Sequence, residues 1–385
     1  LKTIDVDIAI VGAGPAGSTT AIGLSDTSLR IALIDKEAFP RDKICGDALS
    51  PDVVKQLHML PLETGALFDE MKEKLWCRAV RFVSPSFGYA DLELPEKHGP
   101  GYISQRVHFD HFMYNQAIKN TNVQAIHGHK VTGLETNEDG AQVTLSDGTV
   151  IRAQVVLGAD GAQSIVKRTL VSEAIDRKHH AAALRVYYEN VTGFSEDNAV
   201  ELHFYSDILP GYFWVFPLPD NKANVGIGMS SEHVAKHKVN LRELMDNIIA
   251  NHPNVAPRFA NAKPLETPKG FSLPLGSRKR QLSGNRFLLL GDAASLINPL
   301  TGEGIANAIR SGRVASDVLR QSFDKKQFNA NYLKAYDKEI YRRMWGELRL
   351  NLWLRMLMSY PRLCTLVIRH AVGSRWIQKL FLSGF

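Results

Sequence analysis

Apolar residues fall along this chain in short runs that stop on glycine or aspartate. The first run, Val6 to Val11 with only Asp7 polar, ends at Gly12-Ala13-Gly14-Pro15-Ala16-Gly17. A helix-forming stretch follows, and a second run, Ile31-Ala32-Leu33-Ile34, ends on Asp35. Short apolar runs bounded by turn residues read as strands, so residues 1–75 predict β-α-β and then a loop and a helix. Residues 78–95 alternate apolar and polar around a Ser84-Pro85-Ser86-Phe87-Gly88 break, which predicts a hairpin. Residues 106–120 are helical in pattern. Residues 123–157 hold short strands with turns at Glu138-Asp139-Gly140 and Asp147-Gly148. Val155-Val156-Leu157 then leads into Gly158-Ala159-Asp160-Gly161. Residues 180–230 are strand-rich, with a turn at Pro219-Asp220-Asn221-Lys222, and 240–262 are helical. A last buried strand, Phe287-Leu288-Leu289-Leu290, ends at Gly291-Asp292, and from about 302 the chain is mostly helical.

This order predicts a mixed α/β fold. A Rossmann-like nucleotide-binding domain opens the chain and is completed near residue 290, with a mainly antiparallel sheet domain inserted. The expected boundaries are 1–75, 97–172 and 273–330 for the nucleotide domain. Residues 76–96 and 173–272 form the expected substrate sheet, and 331–385 a C-terminal helical region.

The first turn carries chemistry. Gly12 permits a tight turn, Gly14 lets backbone approach a pyrophosphate, and Gly17 lets the helix pack close to the strand. The helix N-terminus, with Ala13 and Ala16 in the turn, offers free N–H groups and a positive dipole end to phosphates. Asp35, eighteen residues after Gly17, is placed to accept hydrogen bonds from a ribose. The glycines alone are a weak signal; strand, helix and acid in the right order make it strong.

Composition narrows the class. At 385 residues, 44% hydrophobic and 22% charged, the chain is an ordinary globular protein with room for two or more domains. Cys45, Cys77 and Cys364 lie too far apart for a disulfide framework or a zinc pattern, so a reducing, cytoplasmic compartment is expected. The first strand begins almost at once, leaving no room for a signal peptide, and no run of 18 apolar residues predicts a membrane span. The net charge of +6 is concentrated: residues 341–385 hold eight Lys/Arg and one acid, Glu347. That tail also carries Trp345, Leu348, Leu352, Trp353, Leu363, Leu366, Val367, Trp376, Ile377, Leu380 and Phe381, broken by Pro361. It reads either as helices docked on the body or as a basic amphipathic surface resting on anionic lipid, with the protein peripheral on the inner membrane face. Large apolar residues interleave the basic ones and no recognition motif appears, so nucleic acid is not an expected partner. The 13 histidines show no metal-ligand spacing, and His179-His180 reads as a solvated loop pair.

Asp292 ends an apolar strand, where ligands of α/β sheets bind. Asn298-Pro299-Leu300-Thr301-Gly302-Glu303-Gly304-Ile305 puts bare N–H groups at the start of the next helix, suited to negative charge on a reduced ring. Four blocks in order now resemble the p-hydroxybenzoate-hydroxylase superfamily of FAD enzymes. They are the opening glycines, Arg106-Val107-His108-Phe109-Asp110, Ala159-Asp160-Gly161-Ala162-Gln163-Ser164, and Gly291-Asp292-Ala293-Ala294 with the later glycines. The resemblance implies that Asp35, with Lys36 beside it, meets the adenosine ribose and backbone near Val131 the adenine. It implies that Arg106 lies near the pyrophosphate or ribityl chain and Asp292 in the ribityl-phosphate region, with Asp160 and Gly291 also binding the cofactor. Gly302, Gly304 and Ile305 would line the isoalloxazine.

Two more blocks are similar to geranylgeranyl reductase-like flavoproteins. One runs Phe39-Pro40-Arg41-Asp42-Lys43-Ile44-Cys45-Gly46-Asp47-Ala48-Leu49-Ser50, the other Tyr212-Phe213-Trp214-Val215-Phe216-Pro217 with Gly226-Ile227-Gly228. Leu218 stands where many members carry Lys. The resemblance implies that Cys45, Gly46 and Ala48 lie beside the flavin.

Three readings follow for the chemistry. Tyr212, Trp214 and Phe216 share one strand face, as a sandwich core or as an apolar wall for a long hydrocarbon. Cys45 is a buried inert thiol or, with Arg41, Lys43 and Gly46 around it, a reactive one that positions substrate or relays a proton. Cys77 and Cys364 read as packing residues. The resemblance implies an FAD reductase that saturates double bonds of a prenyl lipid, drawing electrons from NAD(P)H or a ferredoxin-like donor. A monooxygenase or halogenase of the same fold, or a flavin-carrying lipid-binding protein without turnover, are the alternatives.

Overall fold

The computed structural model describes residues 2–86, 88–94, 99–173, 176–371, 374 and 378. Its nucleotide-binding sheet runs Ser283–Gly284, Phe287–Leu289, Val155–Gly158, Ile8–Val11, Ile31–Asp35 and Val123–His127. All pairs are parallel except the Ser283–Gly284 edge. The central strand Ile8–Val11 is buried along its whole length, as a parallel strand covered on both faces must be. Helix Pro15–Gly23 is buried on every side, between helices Arg106–Ile118 and Ile305–Lys325. A Cβ on Gly312 would sit 2.6 Å from the Ala16 carbonyl oxygen, so small residues set that helix–helix distance. The fold is mixed α/β with a Rossmann-like sheet.

The second large sheet has eight strands. His180–Glu189, Lys222–Ser230, Gly211–Leu218 and Val200–His203 form its centre, flanked by the hairpin Ala79–Val83/Tyr89–Glu93 and by Lys263–Pro264 and Lys269–Pro274. The pair Val200–His203/Ala79–Val83 is parallel and the others antiparallel. Asp220 and Asn221, at φ +61° and +56°, turn Gly211–Leu218 into Lys222–Ser230, the left-handed pair a tight hairpin needs. Lys269–Pro274 spans the expected boundary at 272/273. Smaller sheets join Thr3–Asp5 to Val131–Thr136, Ala141–Leu145 and Val150–Ala153, and Ala48–Leu49 to Gly101–Ile103 and Leu75–Cys77.

Two local expectations need correcting. The helix expected over 240–262 stops at Asn251, because His252 precedes Pro253 and takes an extended conformation. A short turn of helix, Ala256–Phe259, follows. His179 and His180 are no solvated pair. His180 is buried at the head of a strand, 3.2 Å from Ser272 Oγ, and His179 Nδ1 lies 2.6 Å from Ser277 Oγ.

The C-terminal helix Ala330–Met358 is continuous, and Pro361 opens the next, Pro361–Ala371. Leu348, Leu354, Met358, Cys364 and Ile368 are buried against the body. Trp376, Ile377, Leu380 and Phe381 lie outside the described residues. Among the described residues no helix is long and apolar enough to cross a membrane.

Candidate functional site

The carboxyl ends of the parallel strands open into a cavity of about 910 Å³ that continues to the face of the large sheet. Of the residues expected to bind cofactor or substrate or to act in catalysis, all line it except Ala13 and Gly17. Those two shape it from behind. Gly12 has φ +105°, and a Cβ there would lie 2.2 Å from the Ala159 carbonyl oxygen. A Cβ on Gly17 would be 1.9 Å from the Gly12 carbonyl oxygen. Gly14 is open on its cavity side, its nearest neighbour being Arg41 Nη2 at 3.5 Å. Asp35 Oδ2 accepts from Ala13 N at 2.9 Å and Oδ1 from Glu37 N at 3.0 Å, so the acid is fixed by backbone at the strand's end.

Charged groups line the middle of the cavity. Asp110 is wholly buried and holds two arginines: Arg106 bidentately at 2.6 and 2.8 Å, and Arg41 at 2.7 Å. Burial opposes the charge on Arg106, but Asp110 and Cys45 outweigh it and hold the guanidinium charged. Lys43 Nζ pairs with Asp292 Oδ2 at 2.9 Å. The expected surroundings of Cys45 are therefore different: Arg41 and Lys43 are engaged by carboxylates, and the cation at the thiol is Arg106. Asp160 Oδ2 caps Ile165 N at 2.7 Å, while its buried Oδ1 has no protein partner.

At the far end the aromatic strand forms the wall. Tyr212, Trp214 and Phe216 alternate with Phe213 and Val215, which pack in a separate core on the sheet's other side. The tyrosine hydroxyl donates to the Thr301 carbonyl, so wall and glycine loop are tied together. A Cβ on Gly302 would meet that hydroxyl at 2.9 Å, and one on Gly46 would meet Phe216 at 2.8 Å. Arg355 and Met358, from the C-terminal helix, close this end. Cys77 is buried, as a packing residue would be, and also lines the cavity.

The sequence reading missed a polar network here. Asp47, wholly buried at φ +69°, accepts from Tyr187 Oη at 2.6 Å, Asn224 Nδ2 at 2.8 Å and Arg106 N at 3.3 Å. Asn224 also donates to the Cys45 carbonyl at 2.7 Å and accepts from Trp214 Nε1 at 2.9 Å. Burial raises the Asp47 carboxyl to about 6, against the pull of Tyr187, Asn224 and the nearby arginines. Arg185 stacks on Tyr187 at 3.9 Å and pairs with Asp42 at 2.7 Å and with Glu266. Glu303, between the two loop glycines, was also missed. It accepts from Ala306 N at 2.7 Å, and burial, with Asp52 and Glu347 nearby, raises it to about 7. A polar side chain next to Cys45-Gly46 or inside Gly-x-Gly was the available signal.

The arrangement fits an extended dinucleotide with a ring at one end: an open glycine turn, a fixed acid, an unpartnered Asp160 oxygen and a glycine loop facing an aromatic wall. A sequence profile described as "FAD binding domain" matches residues 5–347. The chain belongs to this FAD-binding family. FAD is its cofactor, and the protein is an FAD-dependent oxidoreductase. The menaquinone reductase of Mycobacterium tuberculosis is 30% identical over 322 residues, covering 81% of this chain and 76% of that one. Digeranylgeranylglycerophospholipid reductase 2 of Methanosphaera stadtmanae is 30% identical over 347 residues, covering 86% and 82%. Among solved structures, a geranylgeranyl bacteriochlorophyll reductase-like protein from Thermoplasma acidophilum superposes with a TM-score of 0.85 at 24% identity, over 100% of this chain and 97% of that one. The halogenase PltM, in complex with phloroglucinol and FAD, gives 0.79 at 16% identity over 98% and 83%.

Proposed function

We propose that this oxidoreductase saturates carbon–carbon double bonds in the isoprenoid chain of a prenyl lipid. The observation that carries the reading is the aromatic wall: Tyr212, Trp214 and Phe216 face the same cavity as the Gly302–Gly304 loop, and Tyr212 is bonded to that loop. Reductases of prenylated molecules among the relatives support it. Bound FAD, once reduced, supplies a hydride.

The chain's own residues do the rest. Asp35 takes the ribose, the Gly12–Gly17 turn the pyrophosphate, and backbone near Val131 the adenine. Asp160, Asp292 and the Arg106 side of the cavity hold the polar linker. The wall lays a flat alkene against the Gly302–Gly304 loop and excludes water, which is the entropic and dielectric part of the catalysis. Cys45, between Arg106 and Tyr212, positions the alkene and passes a proton to the second carbon. Asp47 holds the Cys45 loop in place through Asn224. The halogenase reading rests on fold likeness and on Phe39-Pro40-Arg41, which also resembles halogenases, but the Trp-x-Trp-x-Ile-Pro pattern of those enzymes is replaced here by Tyr212-Phe213-Trp214-Val215-Phe216-Pro217.

The test is anaerobic reduction of FAD-loaded protein, addition of geranylgeranyl lipids, and mass spectrometry. The expected product gains two hydrogens per double bond as the flavin reoxidises. Flavin that stays reduced with every prenyl lipid, together with oxygen-dependent hydroxylation or halogenation of an aromatic substrate, overturns the reading.

A further inference from the structure

The two C-terminal helices have two unlike faces. The inner face of Ala330–Met358 buries Leu348, Leu354 and Met358, and Met358 and Arg355 reach the cavity. The outer face exposes Leu350, Trp353 and Met356 at spacings of three, at 37, 52 and 54% of their surface, and Tyr360, in the turn that follows, is 65% exposed. On Pro361–Ala371, Cys364, Ile368 and Ala371 point inward while Leu363 and Leu366 are exposed at 38 and 52%. Six large apolar side chains are therefore exposed along the two helices and the turn between them. Scattered exposed hydrophobics are ordinary, but six within seventeen residues, on the solvent faces of two consecutive helices and their turn, are not.

The charges beside these side chains have one sign. Arg349, Arg362 and Arg369 are exposed, and among the described residues none has an ion-pair partner. Arg342 and Arg343 are held by Glu339. Glu347 is the one carboxylate from residue 341 to 371, and it is partly buried, with burial raising it to about 7. Exposed apolar side chains flanked by unpaired arginines, on helices that themselves expose no carboxylate from residue 341 to 371, complement an anionic lipid surface. Apolar side chains enter the headgroup boundary, and each cation adds attraction to anionic lipid.

We propose that the outer face of these two helices seats the protein on an anionic bilayer, with the apolar end of the cavity directly behind the contact. Helix Ala330–Met358 is then the partition between bilayer and cavity. Its outer residues touch lipid while Arg355 and Met358, less than a turn from Trp353 and Met356, touch the cavity's contents. This deepens the prenyl-lipid reading by giving the substrate a source, but the binding itself does not depend on turnover.

The test uses full-length, FAD-loaded protein without substrate and co-sedimentation with vesicles of phosphatidylglycerol or of phosphatidylcholine. Binding to phosphatidylglycerol is expected, at least about tenfold tighter than to phosphatidylcholine and weakened by salt. Trp353→Ser with Met356→Ser should weaken binding to both vesicles by about tenfold or more. Arg362→Glu with Arg369→Glu, at exposed positions that touch no core, should remove the preference for the anionic vesicle. An unchanged flavin spectrum shows that each variant is folded; if the serine pair loses flavin, the glutamate pair alone decides. Absence of binding to either vesicle, binding that neither pair alters, or a stable dimer that protects Trp353 from quenching overturns the proposal. A failed reductase assay on detergent-dispersed lipid would sink the proposed function and leave this one standing.

Discussion

At the dinucleotide end of the cavity the shape comes from backbone, where the first β-α-β stretch meets the turn at Ala159. At the aromatic end it comes from side chains drawn from four distant segments: the Cys45 loop, Tyr187, the Trp214–Asn224 hairpin and helix Ala330–Met358. The first end is set by where the chain can bend and how closely backbones approach. The second is set by whether buried polar groups find one another. The two should therefore fail differently: the first by steric exclusion, the second by unsatisfied hydrogen bonds.

The largest effect should come from Gly12→Ala. The new methyl would need space 2.2 Å from a carbonyl oxygen at a φ that alanine avoids. A loss of more than about 5 kcal/mol, or protein without FAD, is expected from denaturant unfolding and the flavin absorbance. Full FAD content in this variant would mean that the turn is less constrained than its geometry shows.

Asp47→Ala is the matching break at the other end. It leaves the Tyr187 hydroxyl and an Asn224 N–H unpaired and puts alanine at φ +69°, for a loss of about 4 kcal/mol. Asp47→Asn, which tolerates that φ and keeps one acceptor, should lose less than half as much. Equal losses would show that charge, not hydrogen bonding, is what the network needs.

Glu303→Gln sharpens the comparison by pH. The folded carboxyl is raised from 4.5 to about 7, so folding favours the neutral acid. That contribution is fully present below about pH 4.5 and is lost as pH rises to about 7. Over that window the flavin-free protein should lose about 3 kcal/mol that the glutamine variant keeps. Parallel unfolding curves for the two proteins at pH 5 and pH 8 would refute it.

The smallest effect is expected at Arg355. Burial lowers its pKa, and among the described residues no carboxylate pairs with it. Arg355→Met should raise stability by about 1 kcal/mol in thermal melts, since a partly desolvated cation is replaced by an apolar side chain. A drop in melting temperature would point to a partner for the guanidinium.

These differences also explain what could be read from sequence. The glycine turn, Asp35 and the strand ending at Asp292 were legible because each is a local pattern with a fixed spacing. The face shared by Tyr212, Trp214 and Phe216 was legible because a strand alternates. Asp47 and Asn224 were not, because they lie 177 residues apart and their meaning is their contact. The same holds for Cys45, whose basic sequence neighbours are taken by Asp110 and Asp292 while Arg106 arrives from a helix 61 residues on. The C-terminal stripe had two readings, docked or exposed, because residues three and four apart mark a face without saying which way it turns.

The family match ends at residue 347, and Arg355 and Met358 come after it. The wall of the cavity nearest those two residues is thus supplied by chain beyond the match, on the same continuous helix that carries its last residues. That helix serves both ends: Leu348, one residue past the match, is buried in the core of the nucleotide-binding domain, while Arg355 and Met358 further along line the cavity. Chimaeras that exchange the chain after residue 347 would therefore have to repack Leu348 before they could inherit the far wall from the second parent.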